Sequence, residues 1–238
     1  MVLPARYAST RFPGKPLAMI SGRPLIEWVH RRAMSVRGAA RVVVATDDAR
    51  IAERVRDFGG DVLMTSGDHA TGTDRVAAVA KKLRADIIVN LQGDEPVFDP
   101  ALIGRMVKVF SRQPDVDIVT ACHALRDAGD FLDPHVVKVV FDRRGRALYF
   151  SRAPIPAAAR DEPAAWRHVG VYAYRRAALL RFAKLPRTPL EIAERLEQLR
   201  ALENGMTIAV VETEHETVGV DVPADVKKVE KVLEQSID

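Results

Sequence analysis

The 238 residues include one cysteine, Cys122, so no intrachain disulfide is available. Its place in the strand-like run Ile118-Val119-Thr120-Ala121-Cys122 reads as a small buried apolar group, and this cysteine usage fits a reducing cytoplasm. No apolar run is long enough to cross a bilayer, and the N-terminus lacks the basic, apolar and small-residue order of a signal peptide, so no membrane insertion is expected. A pI near 9.3 raises the question of nucleic acid. The chain has no basic run, no aromatic stacking series and no zinc-finger spacing, so no nucleic-acid partner is expected. Two phosphate-loop patterns are missing as well. Gly14-Lys15 is followed by Pro16, and the 67–73 segment has Walker-type glycine spacing without its lysine. No G-x-G-x-x-G follows the first strand, which argues against a dinucleotide enzyme. Repeats, low-complexity tracts and long linkers are lacking too, so we expect one domain spanning 1–238.

What the chain does have is ordinary globular composition, with 47% hydrophobic and 29% charged residues, and an uneven charge. Residues 1–41 hold eight cations (Arg6, Arg11, Lys15, Arg23, Arg31, Arg32, Arg37 and Arg41) against Glu27 alone. That local +7 stands against a net +4 for the whole chain, so the cations mark a compact anion site beside a solvated basic face. Apolar strand-like runs at 42–47 and 87–92 end in polar residues, and runs of this kind suit a parallel sheet covered on both faces. Between them lie helical patterns: Ile26, Val29, Ala33 and Val36, then Val76, Val79 and Leu83. Ile103, Met106 and Phe110 follow Asp99-Pro100, a cap followed by proline at the first helical position.

After residue 115 strand-like runs at 136–142, 147–152 and 169–175 dominate, with a hairpin signal at Asp142-Arg143-Arg144-Gly145 and a proline- and alanine-rich loop at 155–163. One helix is expected at 189–204 with Ile192, Leu196 and Leu199 on one face, then a strand at 207–213 and a last helix carrying Val226, Val229 and Leu233. The fold class is therefore α/β, a doubly wound and mostly parallel sheet of Rossmann-like type, with a smaller β-rich lobe at about 116–205.

In such sheets ligands bind at the carboxyl ends of the strands, and three polar segments follow apolar runs there. The first is residues 4–16, with three cations and three prolines and no acid. Fixed cations at this spacing can surround a triphosphate; the alternative is a surface loop with chance basic residues. The second is Gln92-Gly93-Asp94-Glu95-Pro96. Asp94 suits Mg2+ shared with phosphates, or a turn cap, and Asp221 in Gly219-Val220-Asp221 is either a second carboxylate or a cap for the last helix. The third is the 68–75 segment, where Arg75 offers donors to a base edge and Thr73 reads as an N-cap.

Together these segments resemble the 3-deoxy-manno-octulosonate cytidylyltransferase family, which makes CMP-Kdo for lipopolysaccharide. The similarity runs along nearly the whole chain and is most specific in residues 4–16 and 89–96 and in Tyr149-Phe150-Ser151-Arg152-Ala153-Pro154-Ile155-Pro156. Residues 167–174 and 196–200 look like the family's sugar-site segments. The resemblance implies a homodimer through the lobe, Mg2+ as cofactor, and CTP and an acidic eight-carbon sugar (Kdo) as substrates. It implies nucleotide contacts from Pro4, Ala5, Arg6, Arg11, Lys15, Thr71, Gly72, Arg75 and Asp94, with Arg11, Lys15, Asp94 and Asp221 catalytic and the two aspartates on the metal. Gln92, Arg152, His168, Tyr172, Glu197 and Gln198 would line the sugar pocket, although His168 by itself reads as a structural histidine. Only Met1-Val2-Leu3 precede Pro4, so the first strand is expected to be short, as is the 157–166 loop. Alternatives are a cytidylyltransferase for 8-amino-Kdo or sialic acid, and a non-catalytic nucleotide-binding protein.

Overall fold

The computed structural model describes residues 1–9, 11–157, 165–215 and 218–235, so the 157–166 loop lies largely outside them. It forms two compact units, Met1–Gly104 with Thr217–Asp238, and Arg105–Glu216.

The first unit is built on β1 (Val2–Ala5), four buried residues in a row, as the apolar start of the chain requires. A two-residue ribbon of β2 (Met19–Ile20) and β3 (Arg23–Pro24) leads into α1 (Leu25–Met34). Then come β4 (Val43–Thr46), α2 (Ala49–Asp57), β5 (Asp61–Met64), α3 (Gly72–Ala80) and β6 (Ile87–Asn90). β1 pairs in parallel with β4 and with β6, and β4 in parallel with β5, giving the order β6-β1-β4-β5. Both expected strands are shorter than their apolar runs. Asp47 and Gln92 leave the ladder, which frees the polar residues at the strand ends. Helix α4 (Pro100–Arg112) starts where Asp99 accepts the Ala101 amide at 2.8 Å, and in sequence it crosses from the first unit into the second.

The second unit continues with β7 (Ile118–Ala124), α5 (Ala128–Leu132), β8 (Lys138–Phe141), β9 (Ala147–Ser151), β10 (Trp166–Arg175), α6 (Arg176–Phe182), α7 (Pro189–Glu194), α8 (Gln198–Glu203) and β11 (Ile208–Glu212). Helix α9 (Asp225–Gln235) belongs to the first unit again. β7 runs parallel to β11 and antiparallel to β10, and β8 pairs antiparallel with β10 and β9. The β8–β9 turn is the expected one. Gly145 takes φ 75° and donates to the Asp142 carbonyl at 2.9 Å, while the Arg146 and Arg144 amides hold the Asp142 carboxyl below its usual range.

The single helix expected at 189–204 is two. Arg195 adopts φ 56°, the chain turns, and Ile192 is left 55% exposed while Leu196 and Leu199 are buried. The cause is tertiary. Arg200 donates from Nε and Nη2 to the Glu191 carboxylate at 2.8 and 2.6 Å, with both residues buried. Nine positions of continuous helix would separate the two by about 13.5 Å along the axis, so the pair requires the break. Burial alone would raise the Glu191 carboxyl, and the Arg200 hydrogen bonds outweigh it and leave the pKa lowered.

Glu191→Gln strands a buried guanidinium and should cost about 3–5 kcal/mol in urea unfolding. A depressed folded value means that the contribution is complete above the ordinary glutamate range and disappears as pH falls through the folded pKa. The mutational difference should therefore shrink on acidification below about pH 4; a pH-independent difference contradicts the ion-pair account.

Candidate active site

The described residues of 6–17 form a closed loop after β1. The Tyr7 carbonyl accepts the amides of Ser9 and Gly14, both at 2.9 Å, and Gly14 turns the chain at φ 72° into a short 3-10 helix that starts at Lys15. Only glycine takes that φ without strain, and a Cβ there would also press on the Tyr7 ring at 3.1 Å. The Arg50 guanidinium lies 3.4 Å above the centroid of the same ring, so the tyrosine is fixed from two sides. The loop thereby presents Arg11 and Lys15 toward one place.

Two carboxylates meet them there. The segments around Asp94 and Asp221 run together because Val220 donates to the Asp94 carbonyl at 2.9 Å and Val97 bridges to Val218. Lys15 Nζ pairs with Asp94 Oδ2 and lies 3.6 Å from Asp221 Oδ1. Arg11 holds Asp221 with both terminal nitrogens, at 3.0 and 3.4 Å. The Asp221 carboxylate is thus turned to cations, while that of Asp225, the first residue of α9, accepts the Asp221 and Val222 amides at 3.0 Å. Asp94, likewise, directs its carboxylate to the Lys15 ammonium. Gly93 is required by close approach: a Cβ on it would stand 2.8 Å from the Pro4 carbonyl oxygen.

The helix start at α3 corrects one reading. Thr71, not Thr73, is the N-cap, in a capping box with Asp74, and Thr73 is buried within the first turn. Arg6 ties the basic loop to this segment through the Ala70 carbonyl at 3.2 Å. A Cβ on Gly72 would meet Pro4 at ordinary contact distance, 3.6 Å. Arg75 is wholly enclosed, its Nη2 3.1 Å from Asp47 Oδ2 and its Nη1 bonded to Thr65 Oγ1; Nε has no hydrogen-bond partner among the described residues. Pro4 and Ala5 are buried in β1, and half-buried Gln92 follows β6.

In the second unit Arg152 follows β9. Its Nε donates to the Glu194 carbonyl and its Nη1 to the Pro134 carbonyl, each at 3.0 Å, while its amide donates to Glu194 Oε2 at 2.9 Å. The Glu194 carboxylate also accepts from Ser151 Oγ at 2.6 Å. Beneath lies Lys138, fully buried, whose Nζ donates to the carbonyls of Asp133, Val136 and Arg152 at 2.9, 2.6 and 2.7 Å. Burial lowers its pKa. Sequence reading missed both. A lysine in the middle of the apolar Val136-Val137-Lys138-Val139-Val140 run was the available signal for one, and Glu194 gave none. His168 and Tyr172 stand on β10 with ring centroids 5.5 Å apart, and Phe150 of β9 meets His168 edge-on at 5.0 Å. Glu197 and Gln198 sit at the turn into α8; Gln198 is buried and its Nε2 has no partner among the described residues. Cys122 is enclosed as expected, and burial pushes its thiol up to about 12.

Gly93→Ala should cost about 1–3 kcal/mol, because the strand-end backbones must separate. The expected reading is a lowered thermal midpoint with the fold retained; a wild-type midpoint refutes the close approach.

Residues 1–208 match the family described as cytidylyltransferase. A 3-deoxy-manno-octulosonate cytidylyltransferase of Geobacter sulfurreducens is 53% identical over 240 residues, 96% of each chain. The same-named protein of Syntrophotalea carbinolica is also 53% identical, over 98% of this chain and 97% of its own. Among solved structures, a CMP:2-keto-3-deoxy-manno-octonic acid synthetase complexed with CTP superposes with a TM-score of 0.93 at 45% identity, covering 99% of this chain and 98% of that one. A 4-diphosphocytidyl-2C-methyl-D-erythritol synthase from Anaerococcus prevotii shares the fold alone, with a TM-score of 0.65 at 13% identity. The basic loop, the paired aspartates and the similarity along the whole chain agree: this chain belongs to the 3-deoxy-manno-octulosonate cytidylyltransferase family.

Proposed function

We propose that the protein transfers CMP from CTP to the anomeric hydroxyl of Kdo, releasing pyrophosphate and supplying CMP-Kdo for lipopolysaccharide synthesis. The observation that carries this reading is the meeting of Asp94 and Asp221, far apart in sequence, around Lys15 and Arg11. One or two carboxylates together with phosphate oxygens are the donor set that magnesium favours, so Asp94 and Asp221 would hold Mg2+. When bound, that ion would supply charge neutralisation on the phosphates and a lowered pKa for the attacking hydroxyl.

The chain's own groups do the rest. Lys15 and Arg11 face the β- and γ-phosphates and follow the negative charge that develops on the leaving pyrophosphate. The sugar oxygen forms its bond to the α-phosphorus as the bond to the bridging oxygen breaks in line, and the hydroxyl proton passes to solvent. Among the described residues nothing in the site reads as a dedicated base, and alignment carries the rate. Arg6, Thr71, Gly72 and Arg75 border the cytidine side. Arg152 pairs with the sugar carboxylate, its backbone already fixed by Glu194 and Lys138. Gln92, His168, Tyr172, Glu197 and Gln198 complete the sugar contacts. A homodimer through the second unit belongs to the same reading. The exposed side chains of Leu148 on β9 and Leu190 and Ile192 on α7 support it. Cytoplasmic location fits the enclosed lone thiol.

Asp94→Asn should abolish pyrophosphate release from CTP plus Kdo even at high Mg2+, and retained turnover rejects the metal role. Arg152→Ala should raise the Kdo KM at least tenfold while the CTP KM stays within about twofold, as expected for one lost charged hydrogen-bond pair. An equal rise for both substrates rejects the pocket assignment. Pyrophosphate release with sialic acid in preference to Kdo overturns the choice of sugar.

A further inference from the structure

Strand β10 is irregular beside its sugar-site residues: the register with β7 steps between Val169 and Tyr172. Such a bulge frees carbonyls from the ladder and re-aims the side chains around it. Thr120 of β7, fully buried, stands against the step. Its Oγ1 lies 2.9 Å from the Val171 carbonyl, 3.2 Å from the Val169 carbonyl and 2.9 Å from Nε2 of His168.

A hydroxyl has one hydrogen and two lone pairs, and both carbonyls can only accept. Given to Nε2, that hydrogen would leave both carbonyls facing Thr120 lone pairs, at 2.9 and 3.2 Å; given to the Val171 carbonyl, it leaves only the 3.2 Å contact, so the group turns a lone pair toward the imidazole. If Nε2 also carried a lone pair, two acceptors would face each other at 2.9 Å. The hydrogen must sit on Nε2. Burial pushes the His168 pKa down to about 3, so near neutral pH the ring holds one hydrogen only. The remaining nitrogen, Nδ1, is then an acceptor, and it has no partner among the described residues. Phe150 and Tyr172 hold the ring plane.

We propose that Thr120 is a positioning residue that locks His168 in the Nε2–H tautomer, so that Nδ1 accepts a hydrogen from a hydroxyl of the acidic sugar. This rests on the reading of His168 as a sugar contact. The opposite tautomer would present an N–H and favour an acceptor at that point of the substrate, so the strand partner sets the polarity of one sugar contact.

The test combines ring 15N NMR of His168, assigned with His168→Gln, with steady-state kinetics of Thr120→Val and Thr120→Ser. The wild-type ring should show Nε2 protonated and Nδ1 bare; a protonated Nδ1 overturns the proposal without any variant. Thr120→Val should lose that fixed tautomer and raise the KM for Kdo about tenfold while the KM for CTP holds, and Thr120→Ser should restore both. A valine variant with wild-type tautomer and sugar KM, or with equal losses for both substrates, overturns the role of Thr120. His168→Ala separates the two claims: an unchanged sugar KM there rejects the sugar-site assignment itself, whereas a raised one beside an unaffected valine variant rejects Thr120 alone.

Discussion

Two carboxylates do not stay together without a cation, and the first unit is organised around that constraint. Asp94 lies in the loop after β6 and Asp221 precedes α9. Each is drawn to the basic loop that follows β1, by Lys15 in one case and by Lys15 with Arg11 in the other. Like charges at such separation repel unless compensated, so the loop's cations are a condition for the two chain segments to lie side by side. Neutral contacts then hold the arrangement: the Val220 amide on the Asp94 carbonyl, and Gly93 so close to Pro4 that no Cβ fits. On the proposed function, a triphosphate and a divalent ion would engage these same charges.

The second unit uses a different device. Its candidate substrate groups are held from beneath by buried polar side chains that touch backbone. Lys138 spends its three hydrogens on three carbonyls, and Glu194 collects a hydroxyl and an amide around Arg152. Thr120 does the same for the bulged strand beside His168. Satisfied buried polar networks are rigid because any displacement leaves an unpaired group in low dielectric. A guanidinium and an imidazole fixed in this way lose little further freedom on meeting a ligand.

Much of this was legible from residues alone. Apolar runs ending in polar residues located the parallel strands, and Asp99-Pro100 and Asp142–Gly145 announced their helix start and hairpin by local chemistry that needs no distant partner. The capping threonine was misplaced by two positions, since Thr71 and Thr73 both precede the periodic residues and only the Asp74 carboxylate chooses between them. The helix expected over 189–204 failed for a deeper reason. Its periodicity is genuine in one dimension, and the Glu191–Arg200 pair that breaks it exists only once the chain has folded back.

The sequence by itself determined the parallel α/β framework and the candidate anion loop, because hydrophobic period, proline, glycine and charge act over a few residues; the two aspartates were singled out as a pair only through the family resemblance. Which carboxylate meets which cation, the enclosure of Arg75 by Asp47, the support of Arg152 by Lys138 and the contact of Thr120 with His168 were decided by tertiary structure. Those depend on atoms 14 to 210 positions apart reaching about 3 Å, a distance that no local pattern encodes.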